Sequence, residues 1–387
     1  MNNEIAQTIR EIAPEIAELR REFHRHPEIR FEERWTSDRV VQFFAELGLP
    51  CKRGYAGGTG IVATLECGPG KTVALRADMD GLEIVEQTGA PHASAIPNRM
   101  HACGHDGHMA CLCGAAKLLA RHRGQLHGTV KFIFQPAEES AAAGRQIVDE
   151  GALDGVDAVF ALHAWPSIPV GKVGVRAGAI MAMAGWFTIE VCGRGCHGAD
   201  PGTGVDPILA AAHIVTALQS IVSRELDPWE AGVVSVGRIQ AGAAPNVIPD
   251  TAIMEGTIRA LNGDTADRIA RAIERIAQHT AEAYRATAQV TFDGAFYPAT
   301  VNDPAMTEVV RHVVAETLGA GALTEVEHPS MTAEDFAFYL EKVPGAFIWL
   351  GNGPNAPLHS PQFDFNDESI PTALTLLTGL AFRLLGE

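Results

Sequence analysis

Residues 107–139 read GHMACLCGAAKLLARHRGQLHGTVKFIFQPAEE, and this stretch decides the fold class. Residues 107–122 are rich in small and apolar helix formers, whereas 129–135 form a short β-branched and aromatic run typical of a buried strand. Two carboxylates, Glu138 and Glu139, follow that strand. A helix that leads into a buried strand predicts an α/β fold with a mostly parallel sheet covered by helices.

The same alternation continues on both sides of this stretch. We predict strands at 61–66, 72–78, 158–163 and 345–350, and helices at 143–150, 304–318 and 367–384. The elements before and after the middle of the chain therefore complete one sheet. We expect a discontinuous catalytic domain formed by residues 1–183 and 296–387.

Residues 184–295 follow a different order. We predict strands at 186–192, 233–240, 251–260 and 289–293, with helices at 205–223 and 264–286. The order β-α-β-β-α-β is that of a ferredoxin-like unit. This segment is therefore expected to form an inserted α+β domain.

Composition excludes several classes of protein. Of the 387 residues, 47% are hydrophobic and 20% charged, the balance of a globular enzyme with a sizeable core. A net charge of -17 argues against a nucleic-acid partner. We expect no secretory signal at the N-terminus and no membrane-spanning segment. The seven cysteines are too scattered for a disulfide framework, which favours reduced thiols and a cytoplasmic location.

The densest chemical signal is the run HACGHDGH, which begins at His101. Cys103 and His105 are the better metal candidates, because thiolate and imidazole are the preferred ligands of zinc-like ions. Asp106 also fits a helix N-cap, and a supporting role fits His101 and His108 as well as a ligand role does.

Carboxylates and an imidazole recur at the predicted strand ends. Asp80 follows one strand, Glu138 and Glu139 follow the next, and His163 ends a third. A solvated acidic loop is the simplest interpretation of the two glutamates alone. However, the carboxyl ends of parallel strands gather at one edge, where α/β proteins build their active sites. One glutamate then ligates a metal while the other takes a proton from water.

His163 alone fits a core histidine, and His359 alone fits a turn. Together with Cys103, His105 and Glu139 they make five ligands, which is more than one tetrahedral ion needs. The sequence therefore predicts two divalent ions. Thiolate suits Zn²⁺, while carboxylate and imidazole also admit Mn²⁺, Co²⁺ or Ni²⁺.

Three residues of the insert are candidates for substrate contact. His197 lies in a glycine-rich bend, Asn246 in the run PNVIP, and Arg259 near the end of a predicted strand. An exposed arginine is usually only a surface charge. Here a fixed guanidinium suits a substrate carboxylate, which it binds through two parallel hydrogen bonds.

These motifs closely resemble the hippurate hydrolase and indole-acetyl-amino-acid hydrolase group of dinuclear metallo-amidohydrolases, in the aminoacylase/carboxypeptidase superfamily of metallopeptidases. The matching segments are 21–27 (REFHRHP), 75–80 (LRADMD), 101–108 (HACGHDGH), 135–139 (QPAEE), 162–165 (LHAW), 245–250 (PNVIPD), 333–336 (AEDF) and 358–361 (LHSP). They occur in order over nearly the whole chain, which makes the resemblance specific. It implies a zinc-peptidase-like catalytic domain with a lid and dimerisation insert.

The resemblance also implies a role for each candidate residue. The metal ligands would be Cys103, His105, Glu139, His163 and His359. Glu138 would be the general base, which takes a proton from water and returns it to the leaving amine. His197, from the same or the partner subunit, would stabilise the oxyanion, and Asn246 and Arg259 would hold the substrate carboxylate. Asp80 and Asp106 would orient the ligands through hydrogen bonds.

The implied reaction is metal-dependent hydrolysis of an N-acyl amino acid. The chain departs from the common pattern at Glu83, Gly185 and Gly202, which leaves the acyl group and the scissile amide open. Two other interpretations are open as well. One is a thiol amidase with Cys103 as nucleophile and His105 or His163 as base. The other is a metal- or ligand-binding protein without catalysis.

Overall fold

The computed structural model describes residues 3–292 and 297–386 and divides them between two compact units. Unit 1 comprises the described residues of Met1–Ile180, Val301–His328 and Asp335–Glu387. Unit 2 comprises those of Met181–Thr300 and Pro329–Glu334. The predicted domain boundary between residues 295 and 296 lies outside the described residues.

The described residues form sixteen strands and ten α-helices. The strands are β1 Cys51–Tyr55, β2 Gly60–Glu66, β3 Thr72–Asp78, β4 Thr129–Gln135, β5 Ala158–Pro169, β6 Val173–Val175, β7 Gly178–Met181, β8 Met183–Cys192, β9 Cys196–His197, β10 Gly232–Ala241, β11 Val247–Ile248, β12 Thr251–Ala260, β13 Thr287–Phe292, β14 Thr300–Asn302, β15 Leu323–Glu325 and β16 Gly345–Gly353. The helices are α1 Asn3–His24, α2 Arg34–Glu46, α3 His105–Arg121, α4 Glu138–Ala141, α5 Ala143–Asp149, α6 Pro207–Ser220, α7 Gly263–Ala283, α8 Pro304–Thr317, α9 Ala337–Leu340 and α10 Ile370–Leu385.

The large sheet of unit 1 has the strand order β1-β2-β4-β3-β5-β16-β6-β15. Its centre is parallel, since β4, β3, β5 and β16 run in the same direction. At one edge β2 runs antiparallel to β4. The segment between β2 and β3 is too short for a crossover, so β2 runs antiparallel to β3 and therefore also to β4, which is parallel to β3. The predicted α/β fold is confirmed, with this antiparallel edge added.

Helix α3 packs against β3 and β5, and α1 and α10 pack against α3. The helices approach closely at Gly114, where a Cβ would lie 2.6 Å from Leu374 and 3.1 Å from Ile16. Apolar side chains with little or no exposure fill this core, among them Leu75, Leu112 and Leu118. The core holds the start of α3, and hence the predicted ligands, against the carboxyl end of β3.

Unit 2 has a four-stranded antiparallel sheet in the order β10-β12-β8-β13. Helices α6 and α7 pack together and against this sheet, over a core that includes Phe187, Ile214 and Ile273. This is the arrangement of a ferredoxin-like unit, as predicted. The predicted strand 289–293 is observed as Thr287–Phe292, and Asp293 lies outside the described residues.

One described segment, Pro207–Glu225, has the length and mean hydropathy of a membrane-spanning helix. This is weak evidence for a membrane span, because core helices of globular domains meet the same criteria. The helix buries Ala210, Ile214 and Leu218 in the core of unit 2.

Three local expectations differ from the structure. Helix α3 begins at His105 with Gly104 as N-cap, so Asp106 lies in the first turn and is not the cap. Glu138 and Glu139 open the one-turn helix α4 and do not lie in a loop. The strand predicted to end at His163 continues to Pro169, because its second half pairs with β16.

Candidate metal centre

The turn before α3 brings a thiol and an imidazole to one point. Gly104 has φ +90°, a left-handed conformation that costs glycine little, and it separates Cys103 from His105. Both side chains are buried. The ligand atoms of Cys103, His105 and Glu139 all lie within 4.8 Å of one another. Three of the predicted ligands therefore form one cluster.

Glu139 reaches this cluster from the turn after β4. Ala137 has φ +50°, which is unfavourable for a residue with a Cβ, and its amide donates to the buried Glu33 carboxylate at 3.1 Å. Glu33 also accepts from Thr59, and burial raises its pKa to about 7. The sequence analysis did not identify Glu33, which fixes the turn that presents Glu138 and Glu139.

His163 lies beside Cys103, with 3.4 Å between its Nε2 and the Cys103 Sγ. Its Nδ1 donates to the carbonyl oxygen of Ala164 at 2.9 Å, so Nε2 of the neutral ring carries the lone pair. Burial, followed by the nearby His108, holds the pKa of His163 well below its usual value. A neutral imidazole with its lone pair directed toward the thiol has the form that a metal ligand requires.

His108 has no nitrogen left for a metal. The Ala164 amide donates to its Nε2 at 2.8 Å, so Nδ1 carries the proton and donates to Asp78 at 2.6 Å. Of the two roles that the sequence left open for His108, the structure therefore selects the supporting one. His101 is buried, and neither of its ring nitrogens has a hydrogen-bond partner among the described residues.

His359 enters the cluster from the other side. Its Nε2 lies 3.0 Å from Oε1 of Glu139, and its amide donates to the Ala102 carbonyl at 2.9 Å. The backbone at His359 has φ +63°, which few residues other than glycine adopt. Such strain is typical of positions whose geometry is fixed by function.

Asp80 links two members of the cluster. One of its oxygens lies 3.2 Å from His105 Nδ1, and the other accepts the Glu139 amide at 3.0 Å. This contact orients His105 with Nε2 toward Glu139, 3.9 Å away. Asp80 thus binds both His105 and the Glu139 backbone through one carboxylate.

Asp106 lies away from the ligands. Its Oδ2 accepts from Arg20 Nε and binds His24 Nδ1, both at 2.7 Å. Arg20 is fully buried and also pairs with Asp364. Among the described residues, Asp106 has no hydrogen bond to a predicted ligand; it anchors the first turn of α3 to α1.

A second buried network, also missed by the sequence analysis, surrounds Asp78. Arg76 donates to Asp78 at 2.7 Å and to Asp335 at 2.9 Å, and Asp335 also accepts from Gln135. Burial opposes ionisation of Asp78, but His105, His108 and Arg76 hold its pKa well below its usual range. Asp78 therefore stays charged and fixes His108.

Glu138 is buried and directly precedes Glu139 at the start of α4. Burial, followed by the charges of Glu139, Glu138 and Asp78, raises the pKa of Cys103 well above its usual value. A protonated, shielded thiol is a poor nucleophile.

The cluster fits a divalent cation. Thiol, imidazole and carboxylate donors converge, and the buried His105 Nε2 has no hydrogen-bond partner among the described residues. Burial lowers the pKa of His105, but Asp78, Asp80 and Glu139 outweigh it and raise the pKa to about 10. The negative potential that favours a proton on this ring equally favours a metal cation.

Within unit 2, His197 and Asn246 lie on adjacent segments. Strand β9 pairs with β11, and Gly198 donates to the Asn246 carbonyl at 2.8 Å. The Ala199 amide donates to His197 Nδ1 at 3.0 Å, so the neutral ring carries its proton on Nε2. His197 is exposed, and that N–H is therefore available as a hydrogen-bond donor.

Arg259 extends from β12 in the same unit. Its Nη1 donates to Thr257 Oγ1 and to the Ile258 carbonyl, and its guanidinium carbon lies 5.9 Å from the centre of the Trp186 ring. Burial lowers its pKa. Among the described residues, no carboxylate forms an ion pair with this cation.

Comparison with known proteins gives a consistent family. Residues 74–383 match the model of peptidase family M20/M25/M40. An IAA-amino acid hydrolase of Arabidopsis thaliana, ILR1-like 4, is 39% identical over 95% of this chain and 85% of its own length. The N-acetylcysteine deacetylase of Bacillus subtilis is also 39% identical, over 95% of this chain and 96% of its own length.

The fold matches a solved structure as well. The Bacillus subtilis YXEP protein, described as a dinuclear metal binding peptidase from the M20 family, superposes with a TM-score of 0.85 at 35% identity. The match covers 96% of this chain and 98% of that protein.

Proposed function

The chain belongs to peptidase family M20/M25/M40, and from that premise we propose that it hydrolyses the amide bond of N-acyl amino acids, releasing a carboxylic acid and a free amino acid. The family resemblance identified in the sequence is confirmed. Relatives named for indole-acetyl and N-acetyl amino-acid substrates support this substrate class. The observation that carries the proposal is the cluster of Cys103, His105 and Glu139, with the buried Glu138 next to Glu139 at the start of α4.

Two divalent ions would be held by Cys103, His105, Glu139, His163 and His359. When bound, such ions polarise the substrate carbonyl and lower the pKa of water. We propose Mn²⁺ or Zn²⁺, with Co²⁺ or Ni²⁺ as alternatives, because the donor set combines a thiol with imidazoles and a carboxylate. The solved M20 relative described as dinuclear supports the number of ions.

Glu138 would serve as the general base. It follows the fixed turn at Ala137, and its side chain is buried. It would accept the proton of the attacking water and deliver it to the leaving amine. Its neighbour Glu139 would ligate metal, so adjacent carboxylates would have separate roles.

Unit 2 would supply substrate contacts. His197 would donate its Nε2 proton to the developing oxyanion, and Asn246 and Arg259 would bind the substrate carboxylate. Asp80 would orient the ligands. We further propose that unit 2 is a lid and dimerisation domain, that the enzyme is at least a homodimer, and that it acts in the cytoplasm on small substrates, without a nucleic-acid or membrane partner.

The test is amino-acid release from acetyl-, benzoyl- and indoleacetyl-amino acids, with enzyme stripped by chelator and resupplied with Mn²⁺, Zn²⁺ or Co²⁺. We expect release only with added metal. Glu138→Gln should lose turnover and retain metal, measured by elemental analysis. Full activity in this variant would exclude Glu138 as the base. Activity that survives chelation and disappears on alkylation would instead favour a Cys103 thiol amidase.

A further inference from the structure

Arg259 is unusual in an acidic chain. The sequence has 47 acidic and 30 basic residues, and the buried Arg20 and Arg76 each pair with carboxylates. Among the described residues, the partners of Arg259 are a hydroxyl, a backbone carbonyl and an aromatic ring. A half-buried guanidinium without an internal anion retains its capacity to bind one from outside.

The contacts of Arg259 determine which edge of the guanidinium is available. Nη1 donates both of its protons, one to Thr257 Oγ1 and one to the Ile258 carbonyl. Thr257 is itself held, since its hydroxyl donates to the Gly185 carbonyl at 2.9 Å. The remaining edge, formed by Nε and Nη2, carries two parallel N–H bonds that match the two oxygens of a carboxylate.

Trp186 holds the guanidinium from the neighbouring strand. In the antiparallel register Trp186 lies opposite Thr257, and the Arg259 guanidinium carbon lies 5.9 Å from the indole centre. Tyr297 packs edge-on against the indole at 5.9 Å, which fixes the ring. Trp186 remains 38% exposed, so its surroundings tolerate a smaller side chain.

We propose that Trp186 is a positioning residue that sets specificity for substrates with a free α-carboxylate. The indole holds the Arg259 guanidinium so that its Nε/Nη2 edge meets the two carboxylate oxygens together. A neutral amide has only one acceptor for these two donors, so it is bound less well. This inference rests on the proposed hydrolysis of N-acyl amino acids and identifies the end of the substrate that the enzyme selects.

The test compares N-benzoylglycine with its primary amide, using metal-loaded enzyme. The variants are Trp186→Ala, Trp186→Phe and Arg259→Lys. Trp229→Ala is the matched control, because Trp229 lies in the same unit, is 95% exposed and is outside the proposed site. For each protein, kcat and KM are measured with both substrates.

We expect Trp186→Ala to raise KM for N-benzoylglycine about tenfold with kcat unchanged, and to leave KM for the amide nearly constant. Phe should restore most of the loss, and Arg259→Lys should show the same selective defect. Equal effects on both substrates, or a loss of kcat alone, would overturn the inference, because a general structural role predicts those results.

Failure of the proposed function gives a different result. If the wild-type protein hydrolyses no N-acyl amino acid, equilibrium binding of N-benzoylglycine and its amide, measured by calorimetry, still tests the inference. A preference for the carboxylate that Trp186→Ala removes supports it. No preference in the wild-type protein overturns it.

Discussion

Asp80 connects two proposed metal ligands through one carboxylate, and Asp80→Asn tests whether that connection tunes metal binding. The wild-type carboxylate contacts His105 Nδ1 at 3.2 Å and the Glu139 amide at 3.0 Å. Asparagine keeps the shape and one oxygen. The side-chain nitrogen of the asparagine, however, would face an N–H donor, either His105 Nδ1 or the Glu139 amide. One of the two hydrogen bonds is therefore lost together with the negative charge of the carboxylate.

The expected magnitude follows from that geometry. Loss of one hydrogen bond to a charged group costs about 1.5–3 kcal/mol, which corresponds to roughly a 10- to 100-fold weaker metal affinity. Loss of an outer carboxylate at other metal sites weakens affinity by about the same factor. We therefore expect Asp80→Asn to remain folded and to bind metal about 10- to 100-fold less tightly.

The assay is calorimetric titration of chelator-treated protein with Mn²⁺ or Zn²⁺. Asp38→Asn is the matched control, because Asp38 forms only an exposed surface pair with Arg53. The control should bind metal like the wild-type protein. If Asp80→Asn and the wild-type protein have the same affinity, the contacts of Asp80 do not tune the centre and the reasoning is refuted.

Three further predictions concern the framework of unit 1. Arg20→Met should reduce stability by about 3–5 kcal/mol, because it removes the buried cation that pairs with the buried Asp106, whereas Arg53→Met should cost little; thermal unfolding of both variants checks this, and similar losses would contradict it. Burial lowers the pKa of His24, but its carboxylate neighbours outweigh burial and raise this pKa to about 9. The stability that the protonated ring contributes is therefore complete below its ordinary pKa of 6.5 and is lost as pH rises through about 9. Only the wild-type protein, and not His24→Gln, should lose stability in that pH window. Gly107→Ala should cost about 1–3 kcal/mol, because its Cβ would lie 2.2 Å from Phe365; unchanged thermal unfolding would show that Phe365 moves freely.

The strongly patterned elements could be predicted from the sequence. The strands at 72–78, 129–135 and 251–260 have the predicted bounds, because apolar and β-branched residues recur along each of them and turn or polar residues flank it. The three-residue strands β6 and β15 could not be predicted, since so few residues show no periodicity. Strand β6 forms because β16 provides a neighbour for it in the sheet, and β15 forms because β6 does.

The candidate ligands could be predicted because their residue types are rare and clustered. The residues that hold these ligands in place could not be predicted. Arg20 follows an amphipathic helical pattern in which an arginine usually faces solvent, yet it is fully buried. Arg76 interrupts an apolar strand and is also buried, with Asp78 and Asp335 as partners. The pairs Arg20–Asp106 and Arg76–Asp335 join residues far apart in sequence, so they leave no local pattern.

The position of β16 has a consequence for biosynthesis. This strand lies between β5 and β6, although the whole of unit 2 is translated between β6 and β16. During synthesis the hydrogen-bonding edge of β5 therefore stays unpaired until residue 353 has left the ribosome, and an open apolar edge invites aggregation. His359 follows only six residues later, so the nascent chain would close its sheet and complete the proposed metal site almost at the same moment.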